Sequence, residues 1–466
     1  MAVVIKNGTI CTASDTYKAD IRIEREKIVG IAENITPANG DQTIDATGLE
    51  IYPGAIDVHT HLDMPFMGTV TADDFESGSI AAACGGTTSF IDFIIPAKGQ
   101  NLGDAVSIWH KKAEGKTAVD YGFHIALVEY NERVASEIPA VIADGITSFK
   151  CFLAYKGALM VDDGEFIQVL KLAKKHGALV SIHAENGEML AHLTTELVAA
   201  GKTAPEFHET AHPAIAEGEA THRGAVLAKM AGVPLYVVHM TCKEALDEIK
   251  AALASGQVVF AETCPQYLLL SNELYKKNGF EAAKWVMSPP LRDSENNDII
   301  WNGIRDGFVK VIATDHCSFN FKGQKEMGLS SFTKIPNGAP GIGDRVNLIY
   351  SYGVKKGKIS RNKFAEVIST NPAKLFGMYP EKGSIAIGAD ADLTIIDPDR
   401  KAVISSKTSH YKADYNSYEG FALDGMAVMT VSRGKLIAKD NKFLGEKTHG
   451  KYVKRRKFDP AEWSIK

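Results

Sequence analysis

The chain has 466 residues, 45% hydrophobic and 23% charged, the composition of a globular protein large enough to bury a substantial core. Its formal charge of −5 is spread along the sequence, which argues against a nucleic-acid or an anionic-membrane partner. No apolar run reaches the length of a membrane span. Six scattered cysteines without a Cys-x-x-Cys pair suit reduced thiols rather than a disulfide framework or a thiolate zinc site.

The sequence opens on a strand pattern, Val3 to Ile10, with no apolar signal-peptide core, so a cytoplasmic location is expected. Val3-Val4-Ile5, Asn7-Gly8 and Thr9 to Thr12 read as a tight hairpin, and short strands continue over 21–24 and 27–31. The same texture returns at 383–385, 392–396, 426–432 and 435–437. A small β-sandwich built from residues 1–52 and 376–445 is therefore expected, with a larger domain, 53–375, inserted between the halves. The last stretch, 446–466, carries the basic run Lys451–Lys457 and reads as a tail, with Tyr452, Phe458 and Trp463 suited to docking on a neighbouring subunit.

The middle alternates apolar strand-like runs with helical patterns at 163–176, 218–231 and 243–255. Strands are expected to end near His59, Phe93, Ala126, Phe152, His183, His239, Ala261 and Asp315. Eight such units predict an α/β fold, a (β/α)8 TIM barrel, whose chemistry sits at the C-terminal strand ends. His59 and His61, two apart on a strand, point the same way and make half of a metal site. Lys150, His183, His239 and Asp315 stand at four further strand ends. Singly, each has a plain reading: a snorkelling lysine, core histidines, a capping aspartate. Together around one barrel mouth they point to metal ligation.

These residues occur within Asp57-Val58-His59-Thr60-His61-Leu62-Asp63-Met64-Pro65-Phe66, Ser148-Phe149-Lys150, Tyr155-Lys156-Gly157, His183-Ala184-Glu185-Asn186, Ser288-Pro289-Pro290-Leu291-Arg292, Thr314-Asp315-His316-Cys317 and Ile335-Pro336-Asn337-Gly338. The set resembles the cyclic amidohydrolase branch of the amidohydrolase superfamily, most closely the hydantoinases and dihydropyrimidinases. The resemblance implies two zinc ions, one held by His59, His61 and Asp315, the other by His183 and His239. Lys150 would be N6-carboxylysine, formed with carbon dioxide or bicarbonate and bridging both metals. Desolvation and nearby positive charge favour the neutral amine that this modification needs.

It further implies hydrolysis of a dihydropyrimidine or a 5-monosubstituted hydantoin, a small cyclic ureide, to an N-carbamoyl amino acid by a homotetramer. Tyr155 would stabilise the oxyanion, Asp315 would act as general base and then acid, and main-chain groups at Ser288 and Asn337 would bind the ureide edge. Met64, Phe66, Phe152 and Leu159 are candidates for an apolar substituent pocket. An allantoinase-type hydrolase and a non-catalytic dihydropyrimidinase-like scaffold share the fold; intact ligand positions argue against the scaffold. Dihydroorotases usually carry Leu-Arg after the His-x-His pair, where this chain has Leu62-Asp63, an aspartate expected to repel the substrate carboxylate. Two positions depart from the family pattern: His212, where many relatives have Arg, and Gly343-Asp344-Arg345, where a Glu is frequent.

Overall fold

The computed structural model describes residues 2–276 and 279–463. Eight parallel strands stand at its centre: β1 (Ala55–Thr60), β2 (Thr87–Ile94), β3 (Asp120–Ala126), β4 (Ser148–Phe152), β5 (Leu179–His183), β6 (Leu235–Val237), β7 (Val259–Thr263) and β8 (Val309–Ile312). They pair in chain order, β1 to β8. Every residue of β1 through β7 is buried. Strands covered on both faces tolerate no polar alternation, which is why they read as continuous apolar runs. Ile56, Val58, Ile91, Tyr236, Val238, Phe260 and Val311 belong to one buried cluster that includes Leu375 and Phe376.

The helix expected at 163–176 spans Asp163–His176; Asp162 and Glu165 form a capping box and left-handed Gly177 ends it. The one expected at 218–231 starts four residues earlier, at Ala214 after Pro213, and the third ends at Ala254. Two strands end before the expected positions. β6 stops at Val237 and β8 at Ile312, so His239 and Asp315 stand on the loops just beyond.

The seam between β1 and β8 closes by other means than a strand ladder. Arg345, fully buried, donates to Ile56 O at 2.9 Å and Ile312 O at 2.8 Å. Asp57 accepts from Thr314 N at 3.1 Å and Thr314 Oγ1 at 2.6 Å. At the mouth, Thr60 bridges His316, with His61 N donating to His316 O at 2.8 Å.

The sequence ends build two facing sheets. One orders 27–32, 20–24, 2–6 and 42–45; the other orders 442–443, 435–439, 422–432, 393–403, 50–53, 9–11 and 16–18. Ile5, Ile21, Ile51, Leu393 and Val431 share the core between them. The hairpin expected at Asn7-Gly8 does not form. Ala2–Lys6 pairs with Asp20–Glu24 in one sheet, while Thr9–Cys11 pairs with Thr16–Lys18 and Glu50–Pro53 in the other. Asn7 takes a left-handed φ of 64° and its N–H donates to Asp20 Oδ1 at 2.8 Å, so the dipeptide is a corner between sheets. At Gly8 any Cβ would lie 2.3 Å from the Ile51 side chain.

The tail lies along its own chain. Gly450 N donates to Thr117 O, Val453 N to Tyr121 O, Arg456 N to Gly377 O and Phe458 N to Gly177 O. Trp463 meets Phe260 edge-on with ring centroids 4.9 Å apart. Residues 464–466 of the expected arm lie outside the described residues. Among the described residues, no helix is long and apolar enough to cross a membrane.

Candidate metal centre

The C-terminal mouth of the barrel gathers the six expected ligand positions. His59 and His61, at and just beyond the end of β1, place Nε2 3.1 and 3.3 Å from Asp315 Oδ1. Lys150 in β4 brings Nζ to 3.1 Å from His59 Nε2, between the rings of Phe93 and Phe152. The His183 and His239 rings meet edge-on at 4.6 Å, and His239 stacks on His59 at 5.4 Å. His239 and Asp315 hold left-handed φ values of 39° and 52°, a conformation that turns each side chain off its strand direction.

Burial, reinforced by Lys150, holds the His59 imidazolium well below its ordinary range, and burial does the same at His239 and, more weakly, at His61. These rings are neutral, the state that ligates metal. Burial opposes ionisation of Asp315, but the adjoining His59 and His61 outweigh it and hold the carboxyl at about 2. Burial lowers the Lys150 amine to about 8.

Two glutamates aim the rings. Glu262, at the end of β7, receives His59 Nδ1 at 2.6 Å, Tyr236 OH at 2.8 Å and His239 N at 3.1 Å. Glu185 takes His183 Nε2 at 2.7 Å and His212 Nδ1 at 2.9 Å, with Ser288 Oγ at 3.2 Å. The Glu262 contact leaves His59 Nε2, and the Glu185 contact leaves His183 Nδ1, as the nitrogen available for a ligand bond. Tyr155, at a φ of 62°, shares the cavity wall with Ser288 and Asn337, and burial raises its phenol above the ordinary range.

The model of the Amidohydrolase family matches residues 51–437. A D-hydantoinase of Geobacillus stearothermophilus is 50% identical over 459 residues, 98% of this chain and 97% of that protein. A D-hydantoinase of Ralstonia pickettii is 44% identical over 458 residues, covering 98% and 100%. The crystal structure of dihydropyrimidinase from Brevibacillus agri NCHU1002 superposes with a TM-score of 0.97 at 48% identity, over 98% of this chain and all of that one. The chain belongs to the amidohydrolase family. It is a hydrolase.

The donor set of this amidohydrolase fits metal ions. His59, His61 and Asp315 offer ligand atoms all within 4.8 Å of one another. His61 Nδ1 and His239 Nδ1 are buried without a hydrogen-bond partner, polar atoms that would gain from an ordered group nearby. The other acidic trio, Asp120, Asp390 and Asp392, differs: Lys382 lies 2.6–3.2 Å from all three and Arg433 3.0 Å from Asp120, so its charge is already met.

A cavity of about 40 Å³ is lined by His61, Lys150, His183, His239, Asp315, Tyr155, Ser288 and Asn337. Phe66, Ile95, Tyr155, Leu159 and Asn337 also wall an outer groove of about 620 Å³. All four expected pocket residues, Met64, Phe66, Phe152 and Leu159, line the inner cavity. Asp63 does not: its carboxylate faces Lys112 at 3.8 Å. Its carboxylate therefore lies outside the residues that line the cavity. Sequence reasoning missed Glu262, Ile95 and the reach of His212. Glu262 left a signal, a lone acid closing the apolar run Val258–Ala261, and His212 stood out only as a departure from the family pattern.

Proposed function

We propose that this amidohydrolase opens the ring of a cyclic ureide, a 5-monosubstituted hydantoin or a dihydropyrimidine, to the N-carbamoyl amino acid. The observation that carries this is the convergence of four imidazoles, Lys150 and Asp315 beneath one apolar groove. His59, His61 and Asp315 would hold one zinc ion, His183 and His239 the other, and Lys150 as N6-carboxylysine would serve both. Lowering the Lys150 amine to about 8 raises the fraction present as the neutral amine that attacks carbon dioxide, and its carbamate would be an anionic two-oxygen donor. When bound, the metal ions supply an acidified water and a polarised ring carbonyl.

The chain's own residues do the rest. Asp315, ionised and at the cavity wall, takes the proton of the attacking water and delivers it to the leaving ring nitrogen. Tyr155 remains protonated and donates to the developing oxyanion. Main-chain groups at Ser288 and Asn337 bind the ureide edge. The substituent enters the outer groove, where Phe66, Leu159, Leu190 and Phe332 offer apolar contact. A groove of that size favours a large apolar substituent over the bare ring of dihydrouracil. The scaffold and allantoin readings find no support in relatives named D-hydantoinase and dihydropyrimidinase.

Ring opening of 5-aryl hydantoins, dihydrouracil, allantoin and dihydroorotate tests this, with metal analysis of the same sample. The expected order of kcat/KM is aryl hydantoin, then dihydrouracil, with little or no turnover of the other two. Allantoin as the best substrate, or a metal-loaded enzyme inert to all four, would refute it.

A further inference from the structure

Lys325 is fully buried and opens the short 3-10 turn Lys325–Gly328. No carboxylate among the described residues pairs with it. Its ammonium instead donates to three carbonyls: Val286 O at 2.8 Å, Pro336 O at 2.7 Å and Gly338 O at 2.7 Å. All three of its protons are thereby used. Val286 lies two residues before Ser288, and Pro336 and Gly338 flank Asn337. The two segments also meet directly, Gly338 N donating to Val286 O at 3.1 Å. At Gly338, φ is 144° and a Cβ would fall 2.4 Å from Cys317 O, so the position has no room for a side chain. A methionine would fill the same space without desolvating a charge, so it is the donors that this position uses.

We propose that Lys325 is a positioning residue for substrate: its ammonium fixes the spacing of the two backbone segments that bind the ureide edge. The inference rests on the assignment of Ser288 and Asn337 to that edge. Burial lowers the Lys325 amine to about 7. The titratable groups facing it are Cys317, whose thiol burial pushes far up, and His208, lowered by burial to about 3. Both are uncharged from pH 6 to 9, so Lys325 titrates there without a charged neighbour. A neutral amine has two donors for three carbonyls.

The test uses metal-loaded wild type, Lys325→Met and Lys325→Gln, with KM and kcat for a 5-aryl hydantoin from pH 6 to 9 and metal content for each. Both variants should keep wild-type metal, with KM raised about tenfold or more for Lys325→Met and kcat within a few-fold. Wild-type KM should climb above pH about 7, and the Lys325→Met value should stay flat. Wild-type KM in the variants, or a kcat loss at unchanged KM, overturns the proposal. Should neither variant fold, Lys325→Arg decides, since its guanidinium keeps the charge but not the three-point ammonium geometry: an unchanged KM there overturns the proposal. Failure of the functional reading would look different, as a wild type that opens no cyclic ureide. The clamp is then judged by a crystal structure of Lys325→Met, where unmoved segments around Ser288 and Asn337 contradict it.

Discussion

At the scale of single residues, a histidine's use as a ligand depends on what holds its other nitrogen. Glu262 fixes the His59 ring through Nδ1, and Glu185 fixes His183 through Nε2, so the two rings present different atoms to one centre. Glu262 also ties Tyr236 and the backbone of His239. Glu262→Ala should free the His59 ring and weaken metal affinity about 10- to 100-fold, measured by competition with a chelator. An affinity equal to wild type would show that His59 is oriented by packing alone. The six candidate ligand positions were readable because each stands in a strand or on the loop just beyond it, within an ordered motif. The glutamate that aims His59 was not, because it lies 203 residues away and only the closed barrel brings them together.

At the scale of elements, strand direction alone does not bring Asp315 to the histidines. β8 stops at Ile312, and the chain turns through a left-handed Asp315 so that its carboxylate enters the mouth between β1 and β8. That turn leaves the seam without a ladder, and Arg345 and the Asp57–Thr314 bonds stand in for it. Periodicity showed the eight strands and the helix over 163–176, since both depend on local pattern. It could not show the seam, which depends on Arg345 reaching β1 across 289 residues of sequence. The same limit applies to Asn7-Gly8, a good hairpin dipeptide whose flanking strands find better partners in different sheets. Arg345→Met leaves two strand carbonyls without their donor and removes the cation 4.0 Å from buried Asp57. It should destabilise the fold by about 3–5 kcal/mol, read as an earlier urea midpoint. A midpoint within error of wild type would mean that the seam is held by its backbone contacts.

At the scale of the whole molecule, the two ends of the barrel have separate duties. The C-terminal mouth gathers the candidate ligands, while the N-terminal end is covered by the tail and tied to the facing sheets through Asp120. That carboxylate accepts from Lys382 at 2.7 Å, Arg433 at 3.0 Å and Lys451 N at 2.9 Å, joining β3, the sheets and the tail. Stability and chemistry are thus built at opposite ends, as expected for a barrel enzyme. Central to the proposed function is a carboxylated Lys150 that would serve two metal ions at the mouth. Its most direct test is metal stoichiometry and ring-opening rate for wild type and Lys150→Ala, purified side by side without added carboxylates. The account predicts two metals per chain and turnover in the wild type, with most of both lost in the variant. A Lys150→Ala enzyme that keeps two metals and the full rate would contradict it.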